Sequence, residues 1–96
     1  MARHAAEYFS AVEAMLKALA NRRRLLMLSM LRAGERHVGG LAEETRLPFK
    51  TVSRNLRLME RSGVVLSRRQ GIYIYYRLSD GILRFAVDAI ETMRGG

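Results

Sequence analysis

Apolar residues recur at helical spacing over positions 5–19, where Tyr8, Phe9, Val12, Leu16 and Leu19 gather near one side of a wheel and Glu7, Glu13 and Lys17 lie elsewhere. Asn21 is placed to cap a second helix, "RRRLLMLSML", with Leu25, Leu28 and Leu31 along one side and Gly34 at its end. A short third helix in "HVGGLAEETRL" begins near Val38 or Gly39, turning Leu41, Ala42 and Thr45 inward and Glu43 and Glu44 outward. Pro48 cannot continue that helix but suits a first turn, so it closes one helix and opens the next. The fourth helix runs over 49–62 with Val52, Leu56 and Met59 on its apolar side, and Gly63 takes the C′ position.

The period then changes. "VVLSRRQGIYIYYRLS" is rich in Val, Ile and Tyr and predicts a β-hairpin with a polar turn at Arg69-Gln70-Gly71. Alternation puts Ile74, Tyr76 and Leu78 on one face and Tyr73, Tyr75 and Arg77 on the other. Asp80 is the expected N-cap of a last helix carrying Ile82, Ala86, Ile90 and Met93. The predicted fold is mainly α with a small β-hairpin, in the order α-α-α-α-β-β-α, as one domain over 1–96.

Charge sharpens this picture. Seventeen Lys and Arg against nine Asp and Glu give a formal net charge of +8. From Arg46 to Arg77 there are eight basic residues and one acid, Glu60, so the excess sits on the fourth helix and the hairpin. Nucleic acid is the first partner such a domain suggests and an anionic membrane the second. No apolar run is long enough to span a bilayer, and the first fifteen residues lack a signal-peptide core, so a cytoplasmic protein with no membrane partner is expected. The absence of cysteine excludes disulfides, thiolate metal sites and thiol redox chemistry. No nucleophile–base pair or glycine-rich phosphate loop is present, so an enzyme is not expected, nor any cofactor.

Two short helices joined by a tight turn, the second one basic, describe a helix-turn-helix over 38–62. Lys50, Thr51, Ser53, Arg54, Asn55 and Arg57 are expected opposite the apolar side. These are the residue types that reach base edges in a major groove: Arg or Lys to guanine, Asn to adenine, Ser or Thr to bases or phosphate. Arg61 adds a further cation to the same helix. Arg68, Arg69 and Gln70 at the hairpin turn read as a wing over 64–79 that places guanidinium groups on phosphates or in the minor groove. The expected partner is double-stranded DNA.

At this point "ALANRRRLLMLSML", "TVSRNLRLMERSGVV" and "RRQGIYIYYRLSD", within positions 18–80, resemble the ArsR-type winged-helix repressors. The resemblance implies a homodimer that binds an inverted-repeat operator and represses transcription, and it implies pairing through the first and last helices, over 1–20 and 80–94. The apolar stripes Tyr8, Phe9, Val12, Leu16 and Ile82, Ala86, Ile90, Met93 supply candidate interface residues, since they exceed what so short a chain needs for one core. It also implies DNA contacts at Lys50, Thr51, Ser53, Arg54 and Asn55, and at Arg68, Arg69 and Gln70 in the wing. Arg24 matches an arginine common at the start of the family's second helix, with either a phosphate contact or packing as its role.

The departures from the family concern its metals. Relatives that sense metals carry a cysteine pair near the third helix, where this chain has "HVGGLAE", or an Asp-x-His with later ligands on the last helix. Here Asp80 fits the first of those positions, but Ile82, Met93 and Gly96 fill the others. One carboxylate does not make a zinc site, which takes three or four N, S or O ligands. No metal site is therefore expected, and a small molecule, a partner protein or nothing beyond autoregulation is left as the release mechanism. Two other functions stay open: a sequence-tolerant architectural DNA-binding protein, and a winged helix used for protein–protein assembly. His4 and His37 are expected in a terminus and at the surface, and the methionines in apolar packing.

Overall fold

In the computed structural model the described residues are 3–82. Five helices and strands precede the hairpin's own two: α1 Arg3–Leu19, α2 Arg22–Arg32, β1 Arg36–His37, α3 Val38–Thr45 and α4 Phe49–Arg61, then β2 Val65–Gln70 and β3 Tyr73–Leu78. The strands form one antiparallel sheet in the order β1-β3-β2. Strand β1 is an addition to the predicted order. It is two residues long, pairing Arg36 with Tyr76 and His37 with Tyr75, which is too short to leave a periodic signal.

The predicted punctuation accounts for most boundaries. Asn21 is extended, and its Oδ1 accepts from the N–H groups of Arg23 at 3.0 Å and Arg24 at 3.2 Å. Such a cap is worth about 1 kcal/mol. Helix α4 ends in a full Schellman arrangement: Gly63 at φ +79° donates to the Glu60 carbonyl at 3.0 Å and Val64 to the Met59 carbonyl at 2.9 Å. Both Val64 and Met59 are buried, which supplies the apolar contact that accompanies the motif. Between α3 and α4 the turn is made by Arg46 in the left-handed region at φ +60°, followed by Leu47 and Pro48.

Three sequence expectations shift. In α2 the buried residues are Met27 and Leu31, with Leu28 and Met30 packed beside them, while Leu25 is 52% exposed. Steps of three residues drift around the helix, which carries Leu25 roughly 140° away from the centre of the buried pair. The hairpin loop is Gly71-Ile72, not Arg69-Gln70-Gly71, since Gln70 pairs with Tyr73 and Arg69 with Ile74. Gly71 takes φ +62° at the first loop position, where a two-residue turn favours glycine, so the loop opens there and leaves both preceding residues in the ladder. The residue capping the helical turn at 80–82 is Ser79 rather than Asp80. Ser79 donates its backbone N–H to the Val64 carbonyl, and its buried Oγ accepts from Ile82 N–H at 3.1 Å and donates to the Gly63 carbonyl at 2.6 Å. Asp80 lies outside that cap, with its carboxylate 3.7 Å from Arg77.

The core sits between the sheet and helices α2, α3 and α4, with Ala18 of α1 closing one side. Met27, Leu41, Val52, Leu56, Met59, Val64 and Val65 are its fully buried side chains. Tyr76 is buried with them, and Ile74 and Leu78 pack on the same side, as the strand alternation predicts. Ile82 also belongs to this core at 8% exposure, which corrects its assignment to a dimer interface: the Ser79 cap turns the chain so that Ile82 points back into its own domain. On α1, Tyr8, Phe9 and Leu16 are exposed and Val12 is half-buried. Ala86, Ile90 and Met93 lie outside the described residues.

Candidate nucleic-acid interface

Helix α4 has a buried side and a cationic side. Val52, Leu56 and Met59 are fully buried, and Lys50, Arg54, Arg57 and Arg61 are exposed. At 3.6 residues per turn those four cations fall along one line opposite the apolar side. Arg61, not placed in the site from sequence, completes it. The N-cap is Pro48, which offers no side-chain acceptor, so the first-turn N–H groups and their partial positive charge face outward.

Thr51, Ser53 and Asn55 are half-buried on the flanks of this line rather than on the outward face. Asn55 is anchored on both sides of its amide: Nδ2 donates to the Thr51 carbonyl at 2.7 Å, and Oδ1 accepts from Arg24 Nε at 2.9 Å. Arg24 also reaches the Ala18 carbonyl at 3.5 Å. Its guanidinium is therefore a packing group that ties α1 and α2 to the flank of α4. On the other flank Glu60, the one acid of α4, accepts a hydrogen bond from Ser67 Oγ and ties the helix to β2.

The wing divides its two arginines. Strand alternation sends Arg68 and Arg69 to opposite faces of β2. Arg68 is fully engaged: Nε donates to both Glu35 carboxylate oxygens at 3.0 Å and Nη2 donates to Oε1 at 2.6 Å. Its Nη1 donates to Gln70 Oε1 at 2.8 Å, and the guanidinium lies 4.6 Å over the Tyr75 ring centroid. The hydrogen bonds from Arg68 hold the Glu35 carboxyl below the usual carboxylate range. His37 and Tyr73 extend this outer cluster, with ring centroids 5.2 Å apart and His37 5.6 Å from Tyr75. His37 thus has a structural place: its Nδ1 accepts from Gly40 N–H at 3.2 Å and caps α3. Arg69 lies on the Ser67 side, the side facing α4, is exposed, and makes no ion pair among the described residues.

A basic helix seated in a helix-turn-helix, with a β-ribbon beside it, is the geometry by which winged helices meet a duplex. A family model described as "Bacterial regulatory protein, arsR family" matches residues 21–67. The transcriptional activator HlyU of Vibrio cholerae is 32% identical over 79 residues, covering 82% of this chain and 73% of that protein. The chain belongs to the ArsR family. The HTH-type transcriptional regulator Rv0324 of Mycobacterium tuberculosis is 44% identical over 63 residues, which cover 66% of this chain and 28% of that protein. Among solved structures, the homodimeric winged helix-turn-helix DNA-binding domain Mb0332 from Mycobacterium bovis superposes with a TM-score of 0.81 at 32% identity. The match covers 99% of this chain and 88% of that one. This ArsR chain is accordingly a winged helix-turn-helix of the DNA-binding transcriptional regulators, not an enzyme. No helix among the described residues is long and apolar enough to cross a membrane.

Proposed function

We propose that this ArsR-family chain is a sequence-specific repressor that binds double-stranded DNA as a dimer on an inverted repeat and responds to something other than a metal ion. The observation that carries the DNA reading is the line Lys50, Arg54, Arg57 and Arg61, exposed on a helix whose opposite side is fully buried. Lys50 and Arg54, near the helix start, are the base-reading candidates. Arg57 and Arg61, further along, and Arg69 on the wing suit phosphates. Thr51 and Ser53 support them from the flanks. Arg68 and Gln70 act as positioning residues that hold the wing through Glu35 and Tyr75.

The dimer rests on the exposed Tyr8, Phe9 and Leu16 of α1, an apolar face that a chain of 96 residues has reason to cover. The homodimeric Mycobacterium bovis relative supports the same assembly. Repression is favoured by relatives such as the biofilm growth-associated repressor of Xylella fastidiosa, 33% identical over 79 residues. The absence of any cysteine, with Ile82 where the family's Asp-x-His places histidine, supports an effector that is a small molecule or a protein.

One observation favours a second reading. Asn55 spends its amide internally and Thr51 and Ser53 are half-buried, which leaves few free groups for base reading and would suit a sequence-tolerant architectural protein. Selection of bound duplexes from a random DNA pool at physiological salt separates the two. An enriched inverted repeat is expected. Binding without enrichment would install the architectural reading, and no binding would overturn both in favour of protein assembly.

A further inference from the structure

We infer that Phe49 is a specificity-determining residue that packs against the C5-methyl group of a thymine in each half-site. The inference rests on the DNA-binding reading above and goes beyond it.

Phe49 opens α4 and is 59% exposed, whereas Leu56 and Met59 of that helix are fully buried and Leu58 is half-buried. Side chains on a helix lean toward its N-terminus, so a first-turn phenyl ring projects from the end that approaches base edges. Its chain neighbours are cationic: Lys50 follows it and Arg46 forms the turn just before it, both exposed. That field repels a second copy of this chain, which carries the same +8, and attracts a polyanion.

Within a major groove a phenyl ring has no donor or acceptor to offer. The one apolar group displayed there by the standard base pairs is the thymine methyl. Burial of Phe49 against it removes apolar surface from water on both sides, and discrimination follows from the methyl alone.

The test replaces thymine by deoxyuridine, one position at a time, in the enriched duplex. Losing one buried methyl weakens binding about fourfold, and losing it in both half-sites about fifteenfold, on the usual value for a buried methylene. With Phe49→Ala, whose fold is preserved because the side chain lies outside the core, the same replacements become neutral. Phe49→Leu, which keeps apolar area, retains part of the penalty. Uridine replacements that are all neutral for the unsubstituted protein overturn the proposal, as does an equal penalty in Phe49→Ala. Failure of any duplex to enrich overturns the specific-binding reading itself, and is thereby told apart from failure of the Phe49 contact.

Discussion

Replacing Asn55 by alanine separates a structural amide from a base-reading one. In the free chain Asn55 accepts from the Arg24 guanidinium at 2.9 Å and donates to the Thr51 carbonyl at 2.7 Å. Hydrogen bonds to charged groups contribute about 1.5–3 kcal/mol, and partial exposure of both partners places this pair at the lower end. The helix-backbone bond to Thr51 contributes little, because that carbonyl keeps a second lone pair and its intrahelical position. Alanine recovers up to about 0.6 kcal/mol through its better helix propensity. The expected net loss is therefore about 1–2 kcal/mol, or a fall in melting temperature of roughly 4–15 °C for a domain of this size. Thermal unfolding at fixed protomer concentration measures it, and duplex binding well below the transition should show an even loss across sequences. An unchanged melting temperature together with relaxed preference at one adenine would refute the reasoning and return Asn55 to the groove.

Arg69→Ala should weaken binding to all duplexes and reduce the slope of log K against log salt by about one, whereas Arg68→Ala should leave the slope within half that change. Equal slope changes would show that the Glu35 clamp opens on DNA. Arg54→Ala should lose about 1–3 kcal/mol of discrimination at one half-site position, and equal losses on every sequence would remove it from base reading. Burial raises the Tyr76 phenol above the ordinary tyrosine value, with Glu60 nearby adding to it. The group's contribution is therefore fully present below the ordinary tyrosine range and is lost as pH rises through the raised value. Ultraviolet titration of wild type against Tyr76→Phe should assign to Tyr76 an ionisation above the ordinary tyrosine range, accompanied by alkaline unfolding; ionisation of Tyr76 within that range in the folded protein would contradict this.

Local rules carried much of the fold. Asn21, Pro48 and Gly63 each mark a boundary through a property of the single residue; Asn21 and Gly63 take the expected cap positions, and Pro48 is the N-cap of α4, one residue before the first turn expected of it. The apolar triple Val52, Leu56, Met59 fixes the cationic line on the other side of α4 for the same reason. What the sequence hides is contact between distant positions. Asn55 looks like an adenine reader until Arg24, 31 residues away, occupies it. Arg68 looks like a wing-tip cation until Glu35, 33 residues away, pairs with it. Ile82 fits an interface stripe by spacing, and only the Ser79 cap shows that it turns inward. Phe49 reads from sequence only as the first residue of the fourth helix, and its exposure next to Arg46 and Lys50 is what the structure adds. Charge density marks the candidate site, while the surroundings of each cation come from neighbours distant in sequence.

Methylation interference on the enriched DNA decides whether α4 lies in the major groove with its basic line against the duplex. Methyl groups on guanine N7 sit in the major groove and those on adenine N3 in the minor groove. Guanine N7 methylation should abolish binding in two clusters about one helical turn apart, one for each copy of α4 in a dimer. Binding that is indifferent to guanine N7 methylation would contradict it.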